Sequence, residues 1–237
     1  MSGAYADAIT AYSTAIDADP DHVAARVGRG LTLQRLGEHE KALTDFDEAI
    51  SSFPDWTGAF ASYYSRAVSR NALGQHDKAL SDCNEAIMRR GEFADALYLR
   101  GTIRKALQQV QEAISDMDTV LEIDPTYWEA SLERGKLHLL QENWRQAVVD
   151  FSVAIDRASL GKTNIRECLY LRGLAEQWLG QHQDAITDFT KVIELAPNDG
   201  GAYLRRSLSH REMGDAAMAD IDIQAGMSRL HNEGCGP

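Results

Sequence analysis

The chain has 237 residues and a formal net charge of −12, with 36 acidic side chains against 24 basic ones. This balance disfavours nucleic acid as a partner, because affinity for nucleic acid comes mainly from neutralised phosphates, and it mildly favours basic partners. No stretch approaches 18 uninterrupted apolar residues and the first residues have no basic segment, so we expect neither membrane insertion nor a secretory signal.

A pair of helices is predicted to recur along the whole chain. Seven alanines, spaced by 34, 37, 34, 34, 38 and 34 residues, each begin the same helical pattern: Ala8, Ala42, Ala79, Ala113, Ala147, Ala185 and Ala219. A large side chain follows each alanine after four residues and further small or apolar ones after seven and eight, which places them all on one helix face. A small residue twelve positions earlier marks a preceding helix in six copies. A period near 34 predicts stacked αα-hairpins rather than one globular core.

The units follow one another in a common numbering, in which the alanine is position 20. A half unit covers 1–22, and full units start at residues 23, 60, 94, 128, 166 and 200, so that one array spans 1–233 with a short tail at 234–237. Glycines suited to the left-handed turn between the two helices stand at Gly37, Gly74, Gly180 and Gly214. Prolines mark the end of four second helices: Pro20, Pro54, Pro125 and Pro197. Extra residues at 57–59 and 162–165 predict longer connections.

The first and last helices are expected to differ from the others. The pattern of residues 4–18 is that of a second helix without its first helix, which predicts an exposed apolar face. Either another molecule covers this face, or the chain has been excised from a longer protein. At the other end, Asp220 replaces the aliphatic residue of position 21, which predicts a solvent-facing last helix.

The pattern resembles the tetratricopeptide repeat over nearly the whole chain. The segments Tyr170-Leu-Arg-Gly173, Leu179-Gly180 and Asp184-Ala-Ile-Thr-Asp-Phe189, followed by Pro197, carry the resemblance most closely. The aromatic residue of position 4 is present only as Tyr63 and Tyr203. The resemblance implies an all-α fold, a right-handed α-solenoid of about six and a half stacked antiparallel αα-hairpins.

Two charged positions are constant in all six full units. Position 7 is arginine and position 23 is aspartate, and a charge fixed in every unit is typical of a scaffold rather than of one binding site. We predict ion pairs that join first and second helices, within a unit or between neighbours: Arg29 with Asp45, Arg66 with Asp82, Arg100 with Asp116, Arg134 with Asp150, Arg172 with Asp188 and Arg206 with Asp222. The alternative is a ladder of arginines for an anionic ligand.

The resemblance implies a peptide groove lined by positions 2, 5, 9, 12 and 13 of the first helices. Carried onto this chain, it indicates the candidates Tyr64, Tyr98, Lys105, Lys136, Tyr170, Trp178 and Arg211. Rigid aromatic side chains are common anchors at interfaces, although several of these residues could instead pack between adjacent first helices. The carboxylate clamp of chaperone-binding relatives is not matched, since its positions hold Val27, Leu31, Ser65, Asp95 and Leu99.

Catalytic and metal-binding patterns are absent from the sequence. The histidines at position 17 belong to different units, so they are expected about 10 Å apart, too far to share a zinc ion: His39, His76 and His182. Gly161-Lys-Thr163 lacks the earlier glycine and the strand of a phosphate-binding loop. We therefore expect no enzyme, no metal and no cofactor. Three cysteines without a CxxC pair fit a reducing, cytoplasmic location.

These observations predict a non-catalytic scaffold or adaptor that binds a peptide or a protein in its groove. The partner is expected to carry basic or apolar segments. Two alternatives stay open. The chain could self-associate through residues 4–18 as a structural assembly protein, or it could be a docking module of a larger protein or enzyme.

Overall fold

The computed structural model describes residues 2–53, 57–158 and 165–233, and these ranges contain thirteen α-helices and no strand. The predicted all-α class is therefore confirmed. The helices are α1 Ser2–Ala18, α2 Val23–Arg35, α3 His39–Ser52, α4 Ala59–Ala72, α5 His76–Arg90, α6 Ala94–Ala106, α7 Val110–Ile123, α8 Trp128–Leu140, α9 Trp144–Ala158, α10 Ile165–Trp178, α11 His182–Leu195, α12 Gly200–Glu212 and α13 Ala216–Glu233.

The helices form two compact units, Met1–Ile123 and Asp124–Pro237. Within each unit, the two helices of a hairpin pack on each other, and the second helix of one hairpin packs on the first helix of the next. In unit 1 this order runs from α1 to α7, and in unit 2 from α8 to α13. Sequential packing of neighbours is the arrangement predicted for an α-solenoid.

Small residues at the predicted positions let the helices approach closely. The position-20 alanines are fully buried in all six full hairpins, where they face the preceding helix. A Cβ atom added to Gly135 would lie 2.7 Å from the ring of Phe151, so only glycine fits between α8 and that ring. Positions 8, 20 and 24 therefore form a small core in each hairpin. This repeated core explains why the alanine period is visible in the sequence.

The turns between helices use left-handed backbone, as the glycines predicted. Gly37, Gly74, Gly180 and Gly214 have φ angles between 71° and 81°: 79°, 71°, 73° and 81° respectively. Two hairpins place a residue with a side chain at the same turn position, Gln108 with φ 61° and Glu142 with φ 59°. The sequence pattern did not reveal these two turns, because the fold imposes a conformation that their residues do not prefer.

The terminal helices differ from the expectation. Ala8 is half-buried while its six equivalents are fully buried, so α1 lacks the covering helix that they have. Between residues 3 and 18 no large apolar side chain is exposed, whereas α13 exposes Ile221 by 57% and Met227 by 52%. Asp220 is exposed as expected, yet the outer face of α13 is more apolar than Asp220 alone predicts. Self-association through residues 4–18 stays a prediction.

Several sequence expectations concern residues at the edge of the described ranges. The extra residues 57–59 form the turn before α4 and its first residue, with Gly58 as its N-cap. Pro54, the residues 162–164 of the second insertion, the Gly161-Lys-Thr163 segment and the tail 234–237 lie outside the described residues. Cys83, which follows Ala79 after four residues, is buried, and burial raises the pKa of its thiol to about 12.

Candidate partner-binding surface

The constant arginines and aspartates lie next to each other in every full hairpin. Nε of Arg29 donates to Oδ2 of Asp45 at 2.9 Å, and Nη2 donates to Oδ1 at 2.6 Å. The aspartates are 1–2% exposed, so the pairs lie in the core between first and second helices. The other five pairs have the same two-point geometry: Arg66–Asp82, Arg100–Asp116, Arg134–Asp150, Arg172–Asp188 and Arg206–Asp222.

The remaining terminal nitrogen of the arginine, Nη1, donates to a side chain of the preceding hairpin. Nη1 of Arg172 donates to the hydroxyl of Ser152 at 2.9 Å, a residue at position 25 of the preceding second helix. The same bond joins Arg29 to Ser13, Arg66 to Asp47, Arg100 to Asn84 and Arg206 to Thr190. Position 25 always holds a side chain that can accept a hydrogen bond, a signal that the sequence reading missed. The N–H groups of these arginines therefore donate to side chains of the scaffold. The alternative that the arginines form a ladder for an anionic ligand has no support from these contacts.

The aspartates differ in the side chain that position 11 of the same hairpin places beside them. Arg70 and Arg104 add a second arginine to Asp82 and Asp116, each at 2.7 Å. In the hairpin that starts at residue 166, this position holds Glu176, which is 6% exposed. Among the described residues, its Oε2 has no hydrogen-bond partner.

Glu176 is a buried carboxyl group beside a buried carboxylate. Burial, and then the charge of Asp188, raise the pKa of Glu176 to about 8, although Arg172 acts in the opposite direction. Its Oε1 lies 3.7 Å from Nε of Arg172, which donates to Asp188 at 2.6 Å. This environment favours the protonated form of Glu176, which is buried in the scaffold.

In unit 1, the predicted groove residues Tyr64, Tyr98 and Lys105 are partly buried. The ring of Tyr64 lies 5.1 Å from the buried ring of Phe93, and burial raises the pKa of its hydroxyl. Tyr98 and Lys105 are half-buried on α6, about two helical turns apart. For Tyr64 the structure thus favours the packing alternative over an exposed anchor.

Glutamines at position 12 tie neighbouring first helices together. Nε2 of Gln177 donates to the carbonyl of Arg205 at 2.7 Å and to the hydroxyl of Ser209 at 2.8 Å. In unit 1, Gln34 makes the same two bonds to the carbonyl of Ser65 and the hydroxyl of Ser69. The pairing of Gln at position 12 with Ser at position 10 of the next unit is visible in the sequence but was not recognised as a signal.

In unit 2, the helices α8, α10 and α12 lie side by side and form a surface that we call the first-helix face. Lys136 on α8 is half-buried, and its Nζ lies 3.0 Å from Oε1 of Glu133 and 2.8 Å from Oε1 of Glu167 on α10. Burial lowers the pKa of Lys136, but the hydrogen bonds to Glu167 and Glu133 more than offset it and hold this pKa above its usual value.

The predicted groove residue Tyr170 lies beside this charged group. It is half-buried, and its ring lies edge-on to the buried ring of Phe189, with centroids 5.7 Å apart. Unlike Tyr64, it also borders an open cavity of about 250 Å³, which is lined by Arg166, Glu167, Tyr170, Leu171 and Asp199. Because Glu167 both lines the cavity and bonds Lys136, the structure brings Lys136 and Tyr170 together on one surface. At the cavity wall, Nη1 of Arg166 lies 3.4 Å from Oδ2 of Asp199, which also caps the N-terminus of α12.

Trp178 and Arg211 lie towards the C-terminal ends of their helices. The ring of Trp178 is stacked on that of Trp144, with centroids 5.4 Å apart and planes at 12°. Trp178 is nevertheless 68% exposed, the most exposed aromatic side chain among the described residues. Arg211 is exposed on α12. Sequence reasoning found Trp178 but not its partner Trp144, which occupies position 17, the position of the three histidines.

Neither a metal site nor a membrane span emerges from the described ranges. No three His, Cys, Asp or Glu side chains there come close enough to hold a metal ion. None of the helices within them is long and apolar enough to cross a membrane.

The helix order and the repeated ion pairs define the class of protein as a helical repeat array. Models of the tetratricopeptide repeat match residues 2–55, 94–127 and 167–199. The chain belongs to the tetratricopeptide repeat family, as its sequence pattern predicted. A comparison with curated proteins gives no match.

Several solved structures have a similar fold. A tetratricopeptide repeat protein from Parabacteroides merdae is 20% identical, with 87% of this chain and 79% of that chain covered and a TM-score of 0.69. YrrB, described as having an unusual peptide-binding site, is 19% identical over 81% of this chain and 95% of its own, with a TM-score of 0.67. MamA from Desulfovibrio magneticus is 20% identical over 73% and 96%, with a TM-score of 0.66. At this identity the likeness shows the fold alone.

Proposed function

We propose that this protein is a non-catalytic scaffold that binds an extended segment of a partner protein on the first-helix face of unit 2. The observation that carries the proposal is the open cavity of about 250 Å³ beside the half-buried ring of Tyr170. A tyrosine at the edge of a cavity offers a rigid apolar surface and a hydroxyl group at little cost in conformational entropy.

The rest of the chain supports a scaffold role. The repeated arginines and aspartates are hydrogen-bonded to each other inside the hairpins, so the charges that recur most often serve packing. Members of this family generally mediate protein–protein interaction, and the similar protein YrrB is described by its peptide-binding site. The exposed Trp178 provides a second aromatic group on the same unit.

The proposal is tested by capturing partners from a native lysate with the wild-type chain and with Tyr170→Ala. Loss of an aromatic anchor should reduce the amount of the specific partner about ten-fold or more, measured by quantitative mass spectrometry. Tyr63→Ala is the matched control, because it removes a half-buried tyrosine of unit 1 that is not among the groove candidates. Thermal unfolding monitors the fold of both variants. Undiminished capture by Tyr170→Ala would reject this face as the binding site.

A further inference from the structure

A second surface of unit 2 lies at the opposite end of α10 from Tyr170. Trp178 follows Tyr170 by eight residues, which is about 12 Å along the helix axis. Directly after Trp178, the turn between α10 and α11 meets the first turn of α9 around an open cavity of about 300 Å³. This cavity is lined by Arg145, Val148, Leu179 and Gln181.

We call these four residues, together with the stacked rings of Trp144 and Trp178, the turn surface. We propose that the turn surface binds a partner segment in which a glutamate or aspartate stands beside apolar residues. The inference is independent of the proposed function, which concerns the cavity beside Tyr170 at the other end of α10.

The charge that the turn surface offers to a partner is positive. Arg145 is the charged residue among the four that line the cavity. It is exposed, and among the described residues it takes part in no ion pair or hydrogen bond. The first turn of α9 contains no acidic residue that could neutralise it. The acidic residues that flank this region in sequence, Glu142 and Asp184, are exposed and do not line the cavity.

Arg145 also borders a second open cavity, on the other side of its helix. That cavity is lined by Asp150 and by the exposed Val149. Asp150 is buried and accepts two hydrogen bonds from Arg134, so its carboxylate belongs to the repeated ion pair of the scaffold. The guanidinium of Arg145 is therefore accessible from both cavities.

A partner carboxylate complements this arrangement. An arginine guanidinium can donate two parallel hydrogen bonds to one carboxylate, a geometry that favours acidic groups over neutral ones. The net charge of −12 does not decide the contact, because exposed charges farther away than about 8 Å are largely screened at physiological ionic strength. The segment expected here is acidic, in contrast to the basic partner that the composition favours.

The apolar part of the turn surface is the tryptophan pair. The ring of Trp178 is 68% exposed although it is stacked on Trp144. Trp144 precedes Arg145 and Trp178 precedes Leu179, so the stack lies beside the cavity. Val148 and Leu179 are half-buried and give the cavity an apolar wall. An exposed indole next to such a wall is typical of an interface anchor.

The sequence of this hairpin departs from the other units at the same place. Position 18 is the second residue of α9 and holds Arg145, whereas the other full units have acidic or neutral residues there: Glu40, Asp77, Gln111, Gln183 and Ala217. The helix dipole is positive at a helix N-terminus, so a cation at this position does not stabilise α9. Packing and helix stability therefore do not account for Arg145, whereas binding of an acidic segment does.

The test uses three fluorescein-labelled peptides of equal length, in which a Phe-Leu pair is flanked on both sides by two glutamates, two glutamines or two lysines. Fluorescence anisotropy with the full chain at physiological ionic strength should show the glutamate peptide binding at least three-fold more tightly than either of the others. Arg145→Gln should abolish the preference for glutamate over glutamine. Trp178→Ala should weaken binding of both of these peptides about five-fold or more.

The controls carry the same changes away from the turn surface. Arg157→Gln alters an exposed arginine of α9 about 18 Å along the helix from Arg145, and Leu195→Ala removes an exposed apolar side chain of α11. Both variants should bind the glutamate peptide within two-fold of the wild type, and thermal unfolding should show every variant to be folded.

Three outcomes would overturn the inference: binding of none of the peptides, tightest binding of the lysine peptide, or a glutamate preference that survives Arg145→Gln. Tyr170→Ala should leave the affinity for the glutamate peptide unchanged. Weaker binding by Tyr170→Ala would instead locate the peptide on the first-helix face and reject the turn surface. Partner capture that depends on Tyr170 would leave the proposed function intact in each of these cases.

Discussion

Each position-23 aspartate is buried, and the residue at position 11 of the same hairpin determines which further group lies beside it. Removing one member of a buried pair is costly, because the other charge loses its partner in a place that water does not reach. Asp82 and Asp116 have two arginines each, whereas Asp188 shares its arginine with a carboxyl group. We therefore expect the stability of the hairpin formed by α10 and α11 to depend on pH.

Replacing Glu176 with Gln should change the pH dependence of stability. The pKa of glutamate is about 4.3 in an unfolded chain and about 8 in the fold, so the wild type loses stability as the pH rises from the lower value to the higher one. Glu176→Gln removes this loss. We expect equal free energies of unfolding near pH 4 and a variant more stable by up to roughly 5 kcal/mol above pH 8.

The measurement is urea unfolding followed by circular dichroism at several pH values. Glu194→Gln is the matched control, since the same change at an exposed residue of α11 should leave the pH profile unaltered. A difference between Glu176→Gln and the wild type that is constant across pH would contradict the assignment.

At the scale of the helix, neighbouring first helices are joined in two chemically different ways. Gln177 donates to the buried Ser209 across α10 and α12, and Gln34 does the same for Ser69. Between α8 and α10, the same positions hold Leu139 and the buried Ala175. In these three contacts the two side chains are therefore either both polar or both apolar, which avoids a buried hydroxyl without a partner.

The matched pair can be exchanged. Gln177→Leu alone should lower the free energy of unfolding by about 1–2 kcal/mol, because the buried hydroxyl of Ser209 loses its donor. Adding Ser209→Ala should recover most of that loss, since the double variant reproduces the Leu–Ala pair of the preceding helices. A double-mutant cycle measured by urea unfolding gives the coupling. Strictly additive effects would show that the two side chains do not interact.

At the scale of the whole molecule, stability comes from contacts between neighbouring hairpins. Unit 1 contains core clusters around Phe46, Cys83 and Phe93, and unit 2 contains clusters around Phe151 and Val192. Each unit thus has apolar groups buried by its own helices, as expected for a repeat array in which stability is a sum of local terms.

A fragment covering residues 124–237 should fold by itself. We expect helix content per residue close to that of the full chain and a cooperative urea transition, measured by circular dichroism, because α8 to α13 bury their own clusters. A fragment covering 141–237 is the control, since it removes α8 and leaves α9 without its hairpin partner. Loss of the cooperative transition in the longer fragment would contradict the prediction.

Much of the fold could be predicted because its causes are local. Small residues recur at the positions of Ala147 and Gly135, because a small side chain there allows two helices to approach closely. Gly180 marks a turn that needs a positive φ angle. The turns at Gln108 and Glu142 gave no such signal, since the surrounding helices impose their conformation. Of the candidate site, Tyr170 and Trp178 were identified by position, but the positions did not reveal what lies beside them.

The sequence by itself determined the helical repeat and the family, because one spacing of small and apolar residues recurs in every unit. Only the tertiary structure decided what the side chains at that register do. It placed Tyr64 against Phe93, paired Lys136 with Glu167 of the next hairpin, and left Trp178 exposed on Trp144. These outcomes depend on residues that are distant in sequence and adjacent only after the hairpins stack, so a periodic pattern carries no record of them.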